Sequence, residues 1–364
     1  MPYTEKDILK ALSTVDDPDL KKDLVTLNMV KDIVLTEGKV SFTVVLTTPA
    51  CPLKEVIKNA CQEAIHNLVN KDLELDINMT SHVSSIRENG PILPGVKNII
   101  AIASGKGGVG KSTVSANLAV ALAKMGASVG LIDADIFGPS IPTMFNCEHE
   151  HPSIKKVGEK NLIVPLEQYG VKLISIGFLA KMDDAVIWRG PMASSALRQF
   201  FSDTDWGELD YLLIDLPPGT SDIHLTMVQT VPVTGAVIVT TPQKVATADA
   251  SKGIAMFKQP QINVPVLGLV ENMAYFTPDE LPDNKYYIFG QDGGKKLAEK
   301  YDIPFLGEIP LVQSIRESGD SGYPAVMKDF EVANSYLKLA ESVAQQVAIR
   351  NASQGKSNVV EVTM

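Results

Sequence analysis

Residues 99–113 read IIAIASGKGGVGKST and join a short apolar run to a glycine-rich segment. Residues 99–103 are apolar and end near a glycine, which predicts a strand that is buried on both faces. Residues 105–112 fit the pattern GxxxxGK[ST], and residues 114–125 have apolar positions at helical spacing. A strand, a glycine-rich loop and a helix in this order form the context that a phosphate-binding loop requires. The sequence therefore predicts a phosphate-binding loop in a parallel α/β sheet.

Each part of this loop has a chemical role in binding a triphosphate. Glycines allow backbone N–H groups to turn toward phosphate oxygens without Cβ clashes, and the following helix N-terminus attracts negative charge. Lys111 is expected to contact the β- and γ-phosphates, and the Ser112 hydroxyl is expected to bind Mg²⁺. The residues predicted to bind the nucleotide here are Gly105, Lys106, Gly107, Gly108, Val109, Gly110, Lys111, Ser112 and Thr113.

The composition limits the class of protein. The chain has 364 residues, 45% of them apolar and 21% charged, which is enough for two globular domains. Its net charge of −10 argues against nucleic acid as a partner. The absence of a long apolar run and of a basic, apolar leader predicts no membrane span and no secretory signal. Three cysteines (Cys51, Cys61 and Cys147) are too few for a disulfide framework, which favours a cytoplasmic location.

Residues 1–85 are predicted to form a small α/β (α+β) domain, and residues 86–95, which are rich in Pro and Gly, a linker. The predicted elements are a helix from Thr4 to about Leu12 with a Thr4 and Asp7 capping box, two strands within residues 30–46, a helix over about residues 53–69 and a strand at residues 73–79. Asp17, Pro18 and Asp19, together with the Thr-x-x-Cys-Pro run at residues 48–52, resemble the SufT/PaaD-type domain of iron–sulfur assembly proteins.

The three cysteines differ in their suitability as iron–sulfur ligands. Cys51 precedes a predicted helix, and a helix N-terminus stabilises a thiolate and lowers its pKa. It is therefore the candidate cluster ligand, with a small buried apolar residue as the alternative. Cys61 lies among apolar helical positions and is expected in the core. Cys147 stands beside His149 and His151, where an ordinary loop is favoured over a ligand set.

Three carboxylates end apolar runs in the second part of the chain. Asp133 and Asp135 follow the run at residues 128–132, and Asp215 ends the run YLLID at residues 211–215. The carboxyl ends of parallel strands share one edge of a sheet, so these groups are expected beside the phosphate loop. Carboxylates next to a triphosphate require a cation between them, which predicts Mg²⁺. Asp215 fits a Mg²⁺-binding Walker B residue.

The second lysine of the loop, Lys106, makes the segment resemble the deviant phosphate loop of the MinD/ParA/NifH superfamily of dimeric ATPases. The resemblance implies ATP as the nucleotide and a homodimer in which Lys106 reaches the partner's nucleotide, as an arginine finger does. It also implies that Asp135 positions the attacking water and that Asp133 supports Mg²⁺. The adenine edge is then bound by Asn272, with the segment beyond Pro310 covering the base.

Residues 96–345 resemble the Mrp/ApbC branch of this superfamily, on FGPS at residues 137–140 and VIWRGPM at residues 186–192. The branch implies a doubly wound, mostly parallel sheet, which the alternation of strands and helices also indicates. We place this ATPase domain at residues 96–350, followed by a polar tail at residues 351–364. Further expectations are edge strands or a hairpin within residues 161–176, a helix cap at Asp222, and a contact of Arg189 with phosphate or partner, or else a structural role.

The branch consists of ATP-hydrolysing carriers that deliver iron–sulfur clusters from scaffolds to apoproteins, and we predict this function. The branch also carries a CxxC pair before its IFG segment, whereas residues 274–290 here (AYFTPDELPDNKYYIFG) contain no cysteine. Carboxylates are poor substitutes for thiolates on such a cluster. An assembly ATPase that does not itself hold the cluster therefore stays open as an alternative. A non-enzymatic scaffold that uses nucleotide only as a switch is a further alternative.

A MinD/ParA-type positioning ATPase is the other alternative. A MinD-like protein needs a basic amphipathic helix for the membrane, and a ParA-like protein needs a basic face for DNA. The last predicted helix has only Lys338 and Arg350 as basic residues, and the net charge is −10. Both observations disfavour this alternative and predict neither a membrane nor a nucleic-acid partner.

Overall fold

The structure is a computed structural model that describes residues 3–85, 87, 92–136, 138–178, 190–278, 280–281, 283–328, 330–357 and 359. Arg189, for which the sequence leaves two roles open, lies outside these residues, as does Phe137 of the FGPS segment. The chain divides into two compact units, residues 1–84 with Ala348–Gln354 and residues 85–347 with 355–364.

The first unit is built on a three-stranded sheet of order β3-β4-β5. Its elements are α1 Glu5–Leu12, β1 Asp16–Asp17, β2 Lys22–Asp23, β3 Val30–Thr36, β4 Lys39–Leu46, α2 Lys54–Leu68 and β5 Glu74–Ser81. The predicted capping box is confirmed, because Asp7 N–H bonds the Thr4 side chain and the Asp7 carboxylate bonds the Thr4 backbone. Alternate residues of β4 are buried and join the two helices in one apolar core.

The second unit contains an eight-stranded sheet of order β10-β11-β7-β12-β6-β13-β14-β15. The elements of this unit are β6 Val96–Ser104, α3 Lys111–Lys124, β7 Val129–Asp133, α4 Ile141–Met144, β8 Ser153–Val157, β9 Lys160–Val164, β10 Leu166–Gln168, β11 Val171–Ser175, α5 Gly190–Ser202, β12 Leu209–Asp215, α6 Asp222–Thr230, β13 Gly235–Thr240, α7 Lys244–Phe257, β14 Val266–Phe276, α8 Gly293–Tyr301, β15 Phe305–Leu311, α9 Gln313–Asp320 and α10 Phe330–Ser353, whose residues from Ala348 onward belong to the first unit. Strands β8 and β9 form a separate two-stranded sheet. Only the edge strand β10 is antiparallel to its neighbour in the eight-stranded sheet.

The predicted fold class is confirmed by the central strand. Ile99, Ala101 and Ala103 of β6 pack into the apolar core that also contains residues of α5, α6 and α7. Ile100 and Ile102 alternate with them and are equally buried. Since successive strand residues face opposite sides, both faces of the sheet are covered. This is the doubly wound, mostly parallel arrangement that the apolar runs predict.

Two local expectations are corrected by the structure. The helix after β12 is capped by Ser221 and not by Asp222, which is its first helical residue. The predicted polar tail begins too early, because α10 continues to Ser353. Asn351 is buried, and its side-chain amide donates to the Ser84 carbonyl oxygen at 3.0 Å. That long-range hydrogen bond satisfies a polar residue that would otherwise favour solvent.

Candidate functional site

The glycine-rich loop lies between β6 and α3, at the carboxyl edge of the sheet. Gly108 and Gly110 have φ of +79° and +80°, the left-handed region that glycine adopts without a Cβ clash. A Cβ at Gly105 would overlap the backbone of Asp249 and Ala250 on α7. The loop, with Asp135 and Pro218, lines a cavity of about 210 Å³. These glycines therefore serve the loop's shape and its close contact with α7.

Lys111 is buried and paired with carboxylates. Its Nζ lies 2.8 Å from Asp215 Oδ2 and 3.8 Å from Asp135 Oδ2, and donates to Ser112 Oγ at 3.1 Å. The Lys111 side chain is 6% exposed and that of Asp215 is fully buried. The sheet register places Asp215 beside Asp133 on the neighbouring strand. The predicted loop lysine, hydroxyl and carboxylates therefore lie together at one edge of the sheet.

Asp215 is held by two hydroxyl groups, one of which the sequence did not single out. Ser112 Oγ donates to Asp215 Oδ2 and Ser115 Oγ donates to Asp215 Oδ1, each at 2.6 Å. Ser115 is three residues after Ser112 on α3, so both hydroxyls face the same side of the helix. That spacing is the signal that would have identified Ser115 as a residue that positions the Asp215 carboxylate.

Asp133 is fully buried and contacts the loop that follows β7. Its Oδ2 accepts from Ser175 Oγ at 3.0 Å and from Ile141 N at 3.2 Å, and its Oδ1 accepts from Asp135 N at 3.2 Å. Burial, with the Asp215 carboxylate next to it, raises the pKa of Asp133 to about 7, against the opposing effects of Lys111 and Ser175. Its contacts thus organise the backbone around Asp135.

The donor set fits Mg²⁺ bound together with a nucleotide. Asp133, Asp135 and Asp215 lie near Lys111, whose single positive charge does not balance them when all are ionised. Across the described residues, no group of three or more His, Cys, Asp or Glu side chains forms a preassembled metal site. Mg²⁺ commonly binds one or two carboxylates and completes its shell with phosphate oxygens and water. The Ser112 hydroxyl and Asp215 carboxylate match that pattern.

A second cavity, of about 560 Å³, adjoins the phosphate loop through Gly110 and Thr113. Asn272 and Pro310, the two residues predicted to lie near the base, both line it. The Asn272 amide donates to the Val109 carbonyl oxygen at 2.8 Å, which ties β14 to the phosphate loop. A cavity of this size lies in the usual range for small-molecule sites and continues directly from the phosphate-binding end.

The turn after β12 contains a buried histidine that the sequence analysis did not identify. His224 Nδ1 accepts from Ser221 N–H at 3.2 Å, as the second half of a capping box. Burial lowers the pKa of His224 to about 4, and nearby Lys111 lowers it too, while the Ser221 backbone hydrogen bond opposes them. The ring is therefore neutral at neutral pH and holds the turn that follows Pro218. The Ser-x-x-His spacing is the sequence pattern that would have indicated a capping box at this position.

The three cysteines differ in how deeply they are buried. Cys61 is fully buried, as predicted, and burial raises the pKa of its thiol to about 12. Cys147 is buried too, with a pKa raised to about 12 by burial and by Glu150 and Glu148, and its thiol donates to the Pro142 carbonyl oxygen at 3.5 Å. Cys51, next to the start of α2, is half-buried. The raised pKa values of Cys61 and Cys147 disfavour the thiolate form that a metal ligand requires.

Two family models match the chain. The model described as NUBPL iron-transfer P-loop NTPase matches residues 95–348, and the one described as iron–sulfur cluster assembly protein matches residues 5–73. Both resemblances that the sequence motifs predict are thereby confirmed at the level of family. No helix within the described residues is long and apolar enough to span a membrane.

Known relatives extend over nearly the whole chain. An iron–sulfur cluster carrier protein of Synechocystis is 47% identical over 343 residues, which cover 94% of this chain and 96% of that protein. The iron–sulfur cluster transfer protein NUBPL of Dictyostelium discoideum is 49% identical over 73% of this chain and 81% of its own length. A nucleotide-binding protein of Archaeoglobus fulgidus, solved in complex with ADP, is 41% identical, covers 65% of this chain and 91% of its own, and has a TM-score of 0.56.

Proposed function

Because the chain belongs to the family of NUBPL iron-transfer P-loop NTPases, we propose that it is a cytoplasmic, homodimeric ATPase that carries iron–sulfur clusters from a scaffold to apoproteins. The observation that carries the ATPase part is the contact of Lys111 and Ser112 with Asp215 at 2.8 and 2.6 Å. The cargo is supported by relatives whose names describe carriers or transfer proteins of such clusters.

The site residues have separate tasks in this proposal. Lys111 leaves its carboxylate partners and contacts the β- and γ-phosphates of ATP. Ser112 and Asp215 would hold Mg²⁺, which would neutralise charge on the phosphate oxygens. Asp135 lines the phosphate cavity and orients the attacking water, while Asp133 holds the backbone around it. Asn272 and Pro310 line the side of the site assigned to the base.

The homodimer rests on Lys106. This half-buried lysine lines the phosphate cavity, whereas Asp215 forms its ion pair with Lys111. A cation brought to the phosphates by a second subunit stabilises the charge that develops during hydrolysis. We therefore assign Lys106 to the partner's nucleotide and Lys111 to its own.

Lys106→Ala is expected to leave ATP affinity nearly unchanged and to remove hydrolysis, because its cation acts only across the dimer. Binding is measured by titration with a fluorescent ATP analogue, and turnover by phosphate release. Mixing Lys106→Ala with a variant that cannot bind ATP tests the assignment to the opposite subunit. Equal losses of ATP affinity in Lys106→Ala and Lys111→Ala would contradict a role in trans.

The cargo ligand is assigned to Cys51. Cys61 and Cys147 are buried with raised pKa values, whereas Cys51 is half-buried beside α2. A symmetric dimer supplies two copies of each cysteine, so Cys51 alone provides two thiolates. A cluster held by so few thiolates is expected to be labile compared with one held by CxxC pairs.

Cys51→Ser is expected to weaken cluster binding most among the three single Cys→Ser variants. Anaerobic reconstitution with iron and sulfide, read by visible absorbance and electron paramagnetic resonance, measures this. ATP turnover of the same samples monitors the ATPase site. Absorbance that survives Cys51→Ser and disappears in another variant would move the ligand elsewhere.

An assembly ATPase that does not hold the cluster itself is the second candidate. It is favoured by the lack of cysteine in residues 274–290 and by the burial of Cys61 and Cys147. The same reconstitution separates the two functions. Wild-type protein that hydrolyses ATP but acquires no cluster absorbance would support the second function over the first.

A further inference from the structure

A cavity of about 550 Å³ lies between α7 and α8, apart from both cavities of the nucleotide site. Its charged lining consists of Lys244, Lys296 and Lys300, with no acidic side chain among the lining residues. All three lysines are exposed, and within the described part of the chain none of them forms an ion pair with a carboxylate. The charged side chains that line this cavity are therefore all positive, although the chain as a whole has a net charge of −10.

Exposed apolar side chains adjoin the cavity in sequence. Val245, next to the lining residue Lys244, is 66% exposed, and Ile288, next to the lining residue Phe289, is 60% exposed. Tyr286 and Tyr287 precede Ile288 and are exposed as well. Lys300 Nζ also lies 5.5 Å from the centre of the Tyr301 ring, which leaves its charge without a carboxylate. Exposed apolar residues next in sequence to these cations match a partner that presents both carboxylates and apolar side chains.

Both walls of this cavity contact elements that form the nucleotide site. On α7, the backbone of Asp249 and Ala250 lies against Gly105 so closely that a Cβ would not fit. On α8, Gly294 N–H donates to the carboxylate of Glu271, the residue before Asn272 on β14. A segment bound between α7 and α8 would therefore contact one helix that packs on the glycine-rich loop and another that is bonded to β14, the strand that carries Asn272.

We propose that the lysine-lined cavity between α7 and α8 is a docking site for an acidic segment of a partner protein that also carries apolar residues. Electrostatic complementarity selects the acidic segment, and the exposed Val245 and Ile288 receive its apolar side chains. That this partner is an apoprotein client rests on the proposed function. The charge and shape of the cavity do not depend on it.

The test uses the full chain and a fluorescein-labelled peptide of glutamates interrupted by leucines, with a matched peptide in which glutamine replaces glutamate. We expect anisotropy to show tighter binding of the glutamate peptide. Lys296→Glu with Lys300→Glu is expected to weaken it by at least about tenfold. The control pair Lys156→Glu with Lys160→Glu, which makes the same charge change on β8 and β9, is expected to leave affinity within about twofold.

The contribution of apolar contacts to peptide binding is tested with two matched isoleucine variants. Ile288→Ser is expected to weaken the peptide severalfold, whereas Ile154→Ser, at a residue 72% exposed on β8, is expected to have no effect. Carbodiimide coupling, which joins carboxylates to amines, is expected to attach the peptide at Lys244, Lys296 or Lys300. Coupling at other lysines, or equal losses in both charge-reversed pairs, would overturn the proposal.

Other occupants give distinct results. Displacement of the peptide by millimolar inorganic phosphate, with no effect of Ile288→Ser, would indicate a free-anion site and overturn the proposal. A change in assembly mass in Lys296→Glu with Lys300→Glu, with peptide affinity unchanged, would indicate a second copy of the chain and also overturn it. ATP turnover and cluster reconstitution in the same wild-type samples report on the proposed function, so each proposal can fail while the other stands.

Discussion

Lys111→Ala is expected to abolish ATP binding, the largest effect of any single change in this protein. Lys111 is the loop cation nearest to the carboxylates at the strand ends, and it is buried with Asp215. Loss of one partner of a buried, hydrogen-bonded charge contact costs about 2–5 kcal/mol, which corresponds to roughly 30-fold to several thousand-fold in affinity. Titration with a fluorescent ATP analogue in the presence of Mg²⁺ measures it.

The same change is expected to lower the free energy of unfolding by about 3–5 kcal/mol, because Asp215 then remains buried beside Asp133 without its cation. The double variant Lys111→Ala with Asp215→Asn removes both charges and controls for this. We expect it to regain much of the stability in urea unfolding and none of the ATP affinity. ATP affinity within threefold of wild type in a folded Lys111→Ala protein would contradict the role of Lys111.

Asp135→Ala is expected to bind ATP and to hydrolyse it at least about 10²-fold more slowly, which is the usual contribution of a positioned acid–base group. Asp135 lines the phosphate cavity, and its Oδ2 is 3.8 Å from Lys111 Nζ. It therefore has access to the place where water attacks, while Asp215 holds Lys111 more closely. Single-turnover phosphate release with saturating ATP separates slow hydrolysis from weak binding.

Asp133→Asn is the matched control at the end of the same strand. Asp133 accepts hydrogen bonds from Ser175, Ile141 and Asp135, so its loss is expected to alter the loop and the stability of the fold. Asparagine keeps one acceptor oxygen, and we expect a smaller loss of turnover than in Asp135→Ala. Normal turnover in Asp135→Ala, with a large loss in Asp133→Asn, would reassign the water-positioning role to Asp133.

The features that the sequence alone determined depend on residues that are close together in the chain. The apolar run, the glycine-rich loop and the helical spacing of apolar positions over residues 99–125 predicted β6, the phosphate loop and α3, because each depends on residues close in the chain. The Thr4 and Asp7 capping box has the same local basis. Carboxylates that end apolar runs predicted one edge of a parallel sheet, where Asp133 and Asp215 now lie side by side. The roles of the site residues in ATP chemistry stay predictions.

Only the tertiary structure decided which polar groups share that edge. Ser175 on β11 reaches the buried Asp133 from an element far away in sequence, and no local pattern ties it to that carboxylate. Ser115 shares a face of α3 with Ser112, but only the fold brings that face to Asp215. Asn351 is buried near the end of α10, and a carbonyl oxygen 267 residues away accepts a hydrogen bond from its side-chain amide. The lysine-lined cavity likewise exists because α7 and α8 pack together. Burial raises the free energy of every polar group that lacks a hydrogen-bond partner. The partners of these buried groups are therefore determined by which residues the fold brings next to them.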